Sequence, residues 1–357
     1  MNIVLTTGGT GGHIFPALAV AEALRQLEPT AAVVFVGGTY GPEGRMAHGA
    51  GIPFVGLPVR GVIGRGLRGA VAGARLGASV LMALGLMRSL RPAVVVGFGG
   101  YAGFPAVAAA KVLRIPCGIH EQNSIPGAAN RWLARWVDQV WTSFPDMADP
   151  LFSGPRVRCT GNPVRQAVCA VAGVRPPAGR NLLVVGGSQG ARALNDLMLA
   201  HAARLRAEGI RLWHQTGPED FARVQAAYAT AYPEARVEPF IDAMDEAYAF
   251  ADVVLCRAGA TTIAELTAAG KPSILVPFPY ATHDHQTKNA QALAARGAAV
   301  VLPQSVLPSV DVVRMLTDLF AAPDRLAAMG KAAAALGRPQ AARALAEDIV
   351  RLAQRKS

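Results

Sequence analysis

The sequence predicts an α/β protein with two doubly wound parallel sheets, one in each half of the chain. Three observations support this fold class. The length of 357 residues is enough for two domains that each bury a core. Short apolar runs alternate with helical patterns along the chain, which is typical of βαβ units. A glycine-rich turn joins a strand to a helix in each half, as TTGGTGGH at 6–13 and GGSQGA at 186–191.

The strands of each half follow from the short apolar runs. In the first half we expect strands near 3–6, 33–36, 94–97, 117–120, 139–142 and 157–160, and in the second half near 182–185, 212–215, 236–240, 253–256, 273–276 and 299–302. Prolines and glycines interrupt both periodicities over 161–180, so the seam between the halves is expected there. Pro16 is expected in the first turn of the first helix. The tail over 339–355 predicts a separate amphipathic helix.

Composition excludes several classes of protein. No run of about 18 apolar residues is present, so we expect no membrane-spanning helix. A strand-like run follows the first residue without a leader pattern, which predicts that the chain stays in the compartment where it is made. The four cysteines are far apart in sequence and include no CxxC pair, which predicts buried thiols rather than a zinc site or a disulfide framework.

The positive charge is unevenly distributed. The formal net charge is +11, and the segment 44–120 carries nine Lys or Arg residues and no Asp or Glu. Such a segment attracts anionic partners. Its basic residues alternate with aliphatic side chains, and recognisable nucleic-acid modules are missing, so an anionic lipid surface fits better than nucleic acid.

The two glycine turns predict binding of a diphosphate. Backbone amides at such a turn approach a phosphate closely, and the helix N-terminus adds partial positive charge. A tight turn that packs a helix against a sheet would explain one such motif equally well. No GK[ST] follows either turn, which disfavours a P-loop nucleotidase. No acidic residue ends the second strand of either half, so NAD is a poor fit.

A further nucleotide site is predicted by DVVLCRAGATTIAEL at 252–266. A strand ends near Arg257, a glycine turn follows, and a helix begins near Thr261 with Glu265 about one turn in. The carboxylate could accept hydrogen bonds from ribose hydroxyls while the helix N-terminus faces a diphosphate. Glu265 could equally be an acidic residue that only complements the helix dipole.

Nine segments together resemble the MurG family of glycosyltransferases: GGTGGHIFPALAVAEAL, GFGGYAGFPAVAAA, IHEQNSIPGAANRWLA, GNPVR, VVGGSQGAR, WHQTG, FIDAM, ADVVLCRAGATTIAEL and GKPSILVPFPYATHDHQTKNA. The resemblance runs from the first strand to at least Ala290. It implies transfer of N-acetylglucosamine from UDP-N-acetylglucosamine to the muramyl sugar of an undecaprenyl-diphosphate acceptor, converting lipid I to lipid II. It also implies the GT-B fold, in which two Rossmann-like domains face each other across a cleft.

The domain limits implied are 1–163 for an acceptor- and membrane-facing domain and 164–338 for a UDP-sugar-binding domain. The helix over 339–357 would return to the first domain. A location on the cytoplasmic face of the cell membrane is implied, with other cell-wall synthesis proteins as further partners and no cofactor.

The resemblance assigns substrate contacts position by position. It implies sugar or acceptor contacts at Thr10, Gly11, Gly12 and Asn123, diphosphate contacts at Arg165 and Ser188, a backbone contact to uracil at Ile241, phosphate and ribose contacts at Ala260, Thr261, Thr262, Ile263, Ala264 and Glu265, and a contact to the sugar hydroxyls at Gln286. Where the family often has a paired glutamine, this chain has His285 followed by Gln286, so Gln286 is the expected contact.

An inverting transfer needs a base for the acceptor hydroxyl and stabilisation of the departing UDP. His13 is the first candidate, since a helix N-terminus favours a neutral imidazole. Glu121 is the rival base, and capping or anion orientation remains an alternative for His13. His120, at a strand end, is expected to make a structural hydrogen bond. His283, Asp284 and His285 lie on a turn without a DxD motif, so we expect no metal.

The resemblance to a membrane-associated transferase suggests a function for the basic segment 44–120, which is contact with lipid headgroups. Side chains on 62–90 are expected to lie among lipid headgroups, with membrane contacts at Arg65, Arg68, Arg75, Leu76 and Val80. The apolar residues Leu81, Leu84, Leu86 and Met87 belong to the same segment, although an ordinary core helix would also contain them. A UDP-sugar epimerase of the same fold and a non-catalytic binding protein are the two competing functions.

Overall fold

The structure is a computed structural model that describes residues 1–59, 67–147, 149–174, 176–177, 179–281 and 284–355, without the side chains of 67–74. The chain forms two compact units. The first contains Met1–Arg165 and Pro339–Ser357, and the second contains Gln166–Arg338. The division falls two residues beyond the limit expected from the sequence.

The first unit is built on a parallel sheet. Within the described residues it has seven strands: β1 (Asn2–Thr6), β2 (Ala32–Gly38), β3 (Phe54–Leu57), β4 (Val94–Gly97), β5 (Cys117–Glu121), β6 (Gln139–Thr142) and β7 (Val157–Cys159), in the order β3-β2-β1-β4-β5-β6-β7. Its helices before the seam are α1 (Gly11–Leu27), α2 (Glu43–Gly49), α3 (Leu67–Leu90), α4 (Phe104–Val112) and α5 (Ala128–Leu133). The predicted doubly wound sheet is confirmed.

The second unit repeats this plan. Its described strands form a six-stranded parallel sheet in the order β10-β9-β8-β11-β12-β13: β8 (Arg180–Val185), β9 (Ile210–Gln215), β10 (Arg236–Glu238), β11 (Val253–Cys256), β12 (Ser273–Leu275) and β13 (Ala299–Val301). Its helices are α6 (Gln166–Cys169), α7 (Arg192–Ala200), α8 (Ala202–Ala207), α9 (Phe221–Ala231), α10 (Met244–Phe250), α11 (Ala260–Ala268), α12 (His285–Ala294), α13 (Val312–Phe320) and α14 (Pro323–Leu336).

Both sheets have the continuous apolar strands expected when helices cover both faces. Strand β1 is buried from Ile3 to Thr6, and β11 is buried throughout. In each sheet the strand order reverses beside the first strand of the unit, β1 or β8. Ligands of doubly wound sheets bind beyond the carboxyl ends of the strands at such a reversal. Both glycine turns follow these two strands.

The terminal helix α15 (Ala341–Gln354) belongs to the first unit and packs against α1. Its apolar face buries Leu345, Ile349 and Leu352 in the same core as Ile14 and Val20. Asp348, only 8% exposed, accepts a 3.0 Å hydrogen bond from Trp141 Nε1 and pairs with Arg158 and Arg351. One carboxylate therefore ties the helix to β6 and β7.

We expect Asp348→Ala to lower the free energy of unfolding by about 2 kcal/mol. The change leaves the Trp141 N–H without its acceptor and removes two arginine pairs, whose value is reduced because both arginines are half exposed. Urea denaturation measures the loss, and amide exchange in α15 locates it. Glu347→Gln on the same helix is the control, since its pair with Arg343 is exposed and contributes about 0.5 kcal/mol or less. Equal effects from both variants would contradict the role of Asp348.

Candidate active site

The first glycine turn leads directly into α1. The helix begins at Gly11, so His13 lies in its first turn and Thr10 is the N-cap residue. Pro16 therefore lies in the second turn, which corrects the expected position, because the two glycines already have helical conformation. The N–H groups of His13 and Ile14 donate to the Thr10 carbonyl at 3.0 and 3.3 Å, so the hydrogen bonds of the helix start here.

A buried glutamate on α2 accepts a hydrogen bond from the backbone of the first glycine turn. Glu43, 1% exposed, accepts a 2.8 Å hydrogen bond from the backbone N–H of Gly9, which has a φ of +100°. A side chain at Gly41 would overlap the carboxylate and displace it from its position under the turn. No sequence pattern indicates Glu43, because its partner is a backbone amide distant in the chain.

His13 takes part in a chain of hydrogen bonds that leads into the first unit. Its Nδ1 lies 2.8 Å from Gln122 Oε1. Gln122 Nε2 lies 3.0 Å from the carbonyl oxygen of Phe98 and 3.1 Å from His120 Nδ1, and His120 Nε2 lies 3.0 Å from the carbonyl oxygen of Gly161. The predicted structural hydrogen bond of His120 is therefore present.

The His120 ring is neutral. It is fully buried, and this burial lowers its pKa to about 4. The hydrogen bond to the Gly161 carbonyl opposes the shift without cancelling it. A neutral imidazole has one N–H, and it must point to the Gly161 carbonyl, which can only accept. His120 thus provides a fixed acceptor, Nδ1, for the Gln122 amide.

Glu121 organises the loop that follows β5. Its Oε1 accepts hydrogen bonds from the N–H and the side-chain amide of Asn123, at 2.9 and 3.2 Å. Its Oε2 accepts from the Gly127 N–H at 3.1 Å and from Asn130 Nδ2 at 2.8 Å. Both oxygens of this 1% exposed carboxylate are engaged by loop donors. Asn123 is thereby held through Glu121.

Arg165 ends the first segment of this unit. Its guanidinium lies over the Phe15 ring, 4.8 Å from the ring centroid, and Phe15 is two residues beyond His13 on α1. Stacking of this kind orients the guanidinium plane. The structure therefore associates Arg165 with the same helix end as Thr10, Gly11, Gly12 and His13.

In the second unit, the glycine turn with Ser188 lies between β8 and α7. Gln215, at the end of β9 and 2% exposed, joins this turn to the FIDAM segment. Its Nε2 donates to the Gly187 carbonyl at 2.9 Å, and its Oε1 accepts from the Ile241 N–H at 3.0 Å. The N–H of Ile241, whose backbone is the expected uracil contact, therefore has a protein partner. Gln215 was missed in the sequence because a neutral amide carries no distinctive pattern.

A buried polar network fixes the strand that carries Gln215. His214 Nδ1 lies 2.9 Å from the Tyr228 hydroxyl, and Nε2 lies 3.0 Å from Asn195 Oδ1. Asn195 Nδ2 donates to the Thr216 carbonyl and to Asp220 Oδ2. The His214 ring is fully buried, and burial lowers its pKa to about 3.

We expect the free energy of unfolding to fall as the pH drops from about 6.5. In the unfolded chain both histidines bind a proton near pH 6.5, whereas in the folded protein buried His120 and His214 are protonated only near pH 4 and pH 3. Acidification therefore stabilises the unfolded state relative to the folded state. Each ring contributes a slope of about 1.4 kcal/mol per pH unit in this window. Urea titrations across pH should give a smaller slope for His214→Gln. His48→Gln, at an exposed position, is the control, and an identical slope in all three proteins would refute the linkage.

Helix α11 provides the third candidate element. It begins at Ala260 after Gly259, and the amides of Ala260, Thr261 and Thr262 precede the first intrahelical hydrogen bond, from the Ile263 N–H to the Gly259 carbonyl. Ile263 is buried and Ala264 is half-buried in this turn. Glu265, 8% exposed, accepts a 3.1 Å hydrogen bond from the Tyr248 hydroxyl. The predicted juxtaposition of helix N-terminus and carboxylate is present.

Gln286 lies in the first turn of α12. Its Oε1 accepts from the Phe278 N–H at 3.0 Å, which directs the side chain toward the loop after β12. Its Nε2 has no partner among the described residues.

His285 begins the helix and Asp284 precedes it, while His283 lies outside the described residues. In the part of the chain that the structure describes, no group of three His, Cys, Asp or Glu residues could hold a metal ion.

The membrane-contact residues predicted from the sequence lie on α3 or just before it. Arg65 and the Arg68 side chain lie outside what the structure describes, Arg75 is exposed, and Leu76 and Val80 are half-buried.

Other apolar residues of α3 differ in exposure: Leu81 and Met82 are 70% and 50% exposed. Met87 is fully buried in the core with Ala83, as the core-helix alternative expects. No described helix is long and apolar enough to cross a membrane.

A pair of tryptophans extends the exposed apolar surface of the first unit. Trp132 on α5 and Trp136 just after it are 48% and 44% exposed, and their ring centroids lie 4.3 Å apart. Trp132 also contacts Phe104 at the start of α4, which packs against both α3 and α5. The spacing RWLARW, with tryptophans four residues apart beside arginines, is the sequence signal for this pair.

Comparison with known proteins agrees with both units. The glycosyltransferase family 28 N-terminal domain matches residues 3–142, and the family 28 C-terminal domain matches residues 181–345. A relative from Nitratidesulfovibrio vulgaris (strain DSM 19637 / Miyazaki F) is 51% identical over 98% of this chain and 96% of its own length. Its name is UDP-N-acetylglucosamine--N-acetylmuramyl-(pentapeptide) pyrophosphoryl-undecaprenol N-acetylglucosamine transferase. A crystal structure of MurG from Acinetobacter baumannii has 34% identity, covers 98% of this chain and 99% of its own, and has a TM-score of 0.72.

The chain belongs to the MurG family within glycosyltransferase family 28. The predicted GT-B fold class is therefore confirmed for this MurG-family chain. A UDP-GlcNAc 2-epimerase from Neisseria meningitidis also matches, with a TM-score of 0.68 over 98% of this chain, but at 14% identity. At that identity the likeness shows a shared fold alone.

Proposed function

We propose that the chain is an inverting glycosyltransferase that moves N-acetylglucosamine from UDP-N-acetylglucosamine to the muramyl sugar of undecaprenyl-diphosphate-linked lipid I, forming lipid II. The observation that carries this proposal is the 51% identity over 98% of the chain to a relative named for that transfer. The glycine turns, the α11 amides and His13 supply the groups that the reaction requires.

The donor is assigned to the second unit. The amides at the start of α11 and the turn with Ser188 would hold the diphosphate. Glu265 would accept hydrogen bonds from the ribose hydroxyls, and Gln286 would donate through its Nε2 to the sugar. At Ile241 the carbonyl is the group available to the uracil N–H unless Gln215 releases the backbone amide.

His13 is assigned as the general base. The acceptor hydroxyl loses its proton to His13, its oxygen forms a bond to the anomeric carbon, and the bond from that carbon to the diphosphate oxygen breaks with its electron pair leaving on UDP. The backbone amides at the start of α11 and at the turn with Ser188 would stabilise the departing charge. Glu121 is assigned to the loop instead, since four donors already engage its oxygens.

Transfer of radiolabelled N-acetylglucosamine to a lipid I analogue tests the proposal. A transferase forms labelled lipid II and releases UDP in equal amounts. Release of UDP without an acceptor product, or epimerised sugar, would favour the epimerase chemistry of the structural neighbours. Binding of UDP-N-acetylglucosamine without turnover would indicate a binding protein.

The membrane surface is assigned to the first unit. Leu81, Met82 and the tryptophan pair provide apolar area, and exposed arginines such as Arg75 and Arg135 would meet anionic headgroups. Tryptophan favours the headgroup region because its ring is amphipathic. The lipid acceptor would be reached from this surface, on the cytoplasmic face of the membrane.

We expect the double variant Trp132→Ala, Trp136→Ala to lose about 10-fold or more in partitioning onto vesicles of phosphatidylcholine and phosphatidylglycerol. The loss corresponds to about 100 Å² of exposed apolar area that no longer enters the interface. Co-sedimentation measures it, and Val306→Ala, at an exposed valine of the second unit, is the control. Unchanged partitioning of the tryptophan variant would show that Trp132 and Trp136 do not contact the membrane.

A further inference from the structure

The side-chain amide of Gln122 has one orientation that satisfies its surroundings. Its nitrogen faces the Phe98 carbonyl and His120 Nδ1, at 3.0 and 3.1 Å. The carbonyl can only accept, and His120 Nδ1 is bare because the single proton of that neutral ring points to Gly161. The NH₂ group of Gln122 must therefore face these two acceptors, so its oxygen faces His13.

The orientation of Gln122 determines which nitrogen of His13 carries the proton. The Gln122 oxygen can only accept, and it lies 2.8 Å from His13 Nδ1. Nδ1 must therefore be the N–H of the ring, and a neutral His13 presents a bare Nε2. The backbone of Gly99, which has a φ of +87°, packs close to this edge of the ring, since a Cβ added there would lie 3.1 Å from His13 Nδ1.

We infer that Gln122 is a positioning residue that holds His13 in the tautomer whose Nε2 accepts the proton of the acceptor hydroxyl. This inference rests on the proposed role of His13 as base. Gln122 is buried to 1% exposure, carries no charge, and acts only through His13. The role resembles that of the carboxylate partners of catalytic histidines, but with a neutral acceptor that does not stabilise the imidazolium as strongly.

Four titratable groups near His13 come from three segments of the chain. His120 lies behind Gln122 and is neutral, Glu121 is engaged by loop donors, Glu43 faces the Gly9 amide, and Arg165 lies over Phe15. None of these groups replaces the Gln122 oxygen at Nδ1 in the described contacts. The tautomer therefore depends on Gln122.

Two variants of Gln122 separate the tautomer from general structural damage. Gln122→Met removes the acceptor at similar volume, and we expect kcat to fall about 10- to 100-fold with the KM for UDP-N-acetylglucosamine nearly unchanged. Gln122→Glu keeps an oxygen toward Nδ1 but adds charge that favours the imidazolium. It should recover part of the kcat lost in Gln122→Met, because an acceptor remains at Nδ1. Gln139→Met is the matched control, since Gln139 on β6 also donates to a backbone carbonyl.

Nitrogen NMR of the full chain with ¹⁵N-labelled histidine reads the tautomer directly. The His13 signals are assigned by their loss in His13→Gln. The wild type should show a pyridine-type Nε2 and a pyrrole-type Nδ1, and Gln122→Met should show a mixture. A protonated Nε2 in the neutral wild-type ring, or an unchanged tautomer in Gln122→Met, would overturn the inference. If the tautomer behaves as expected while His13→Gln remains active, the positioning stands and the base role of His13 fails.

Discussion

His13→Gln should lower kcat by about 10³-fold while the KM for UDP-N-acetylglucosamine changes less than about 2-fold. General base catalysis contributes about 10²- to 10⁴-fold, and glutamine keeps the polarity of the first turn of α1 without accepting a proton. Donor binding is assigned to the second unit, so it should survive the change. Steady-state transfer of radiolabelled sugar to a lipid I analogue measures both constants.

His48→Gln is the control for this experiment, because His48 is exposed on α2 and has no part in the hydrogen-bond chain. Near-normal turnover of His13→Gln would mean that His13 is not the base and that Glu121 or solvent takes the proton. In that case Glu121→Gln should lose activity out of proportion to any change in stability.

Glu265→Gln should weaken binding of UDP and of the donor by about 10- to 100-fold. A hydrogen bond to a charged group contributes about 1.5 to 3 kcal/mol, and glutamine presents one acceptor where the carboxylate presents two. The change keeps the side-chain volume and an oxygen for the Tyr248 hydroxyl, so α11 should remain in place. Isothermal titration with UDP measures the affinity, and kcat should fall much less than the affinity.

Glu246→Gln serves as the matched control for Glu265. It is an exposed acid in the first turn of α10, where it only complements the helix dipole. If both variants bind UDP as the wild type does, Glu265 has the same dipole role and does not contact the ribose.

The sheets were predictable because parallel strands buried on both faces leave uninterrupted apolar runs, as in 94–97 and 253–256. Strand β3 was missed, since FVGL is short, half exposed and contains a glycine. The start of α1 was placed too late, because glycine has low helix propensity and two glycines precede His13. Packing against the sheet overrides that preference.

The candidate site was predictable where its chemistry depends on charge or on backbone amides. His13, Glu265 and the two glycine turns have characteristic positions after strands. Gln122 and Gln215 act through neutral amides whose partners are distant backbone groups, so no local pattern reports them. The sequence left open which apolar residues of α3 are buried: Met87 packs on the core, while Leu81 and Met82 face outward.

The return of α15 to the first unit has a consequence for how the chain is made. Synthesis proceeds from the first residue, yet the core around α1 is complete only when Leu345, Ile349 and Leu352 have left the ribosome. The second unit, Gln166–Arg338, is synthesised in full before that point and contains all of its own core. The first unit, although most of it is translated first, is therefore the last to reach its native packing. A chain that ends at Arg338 would leave the apolar side of α1 exposed and would be prone to aggregate.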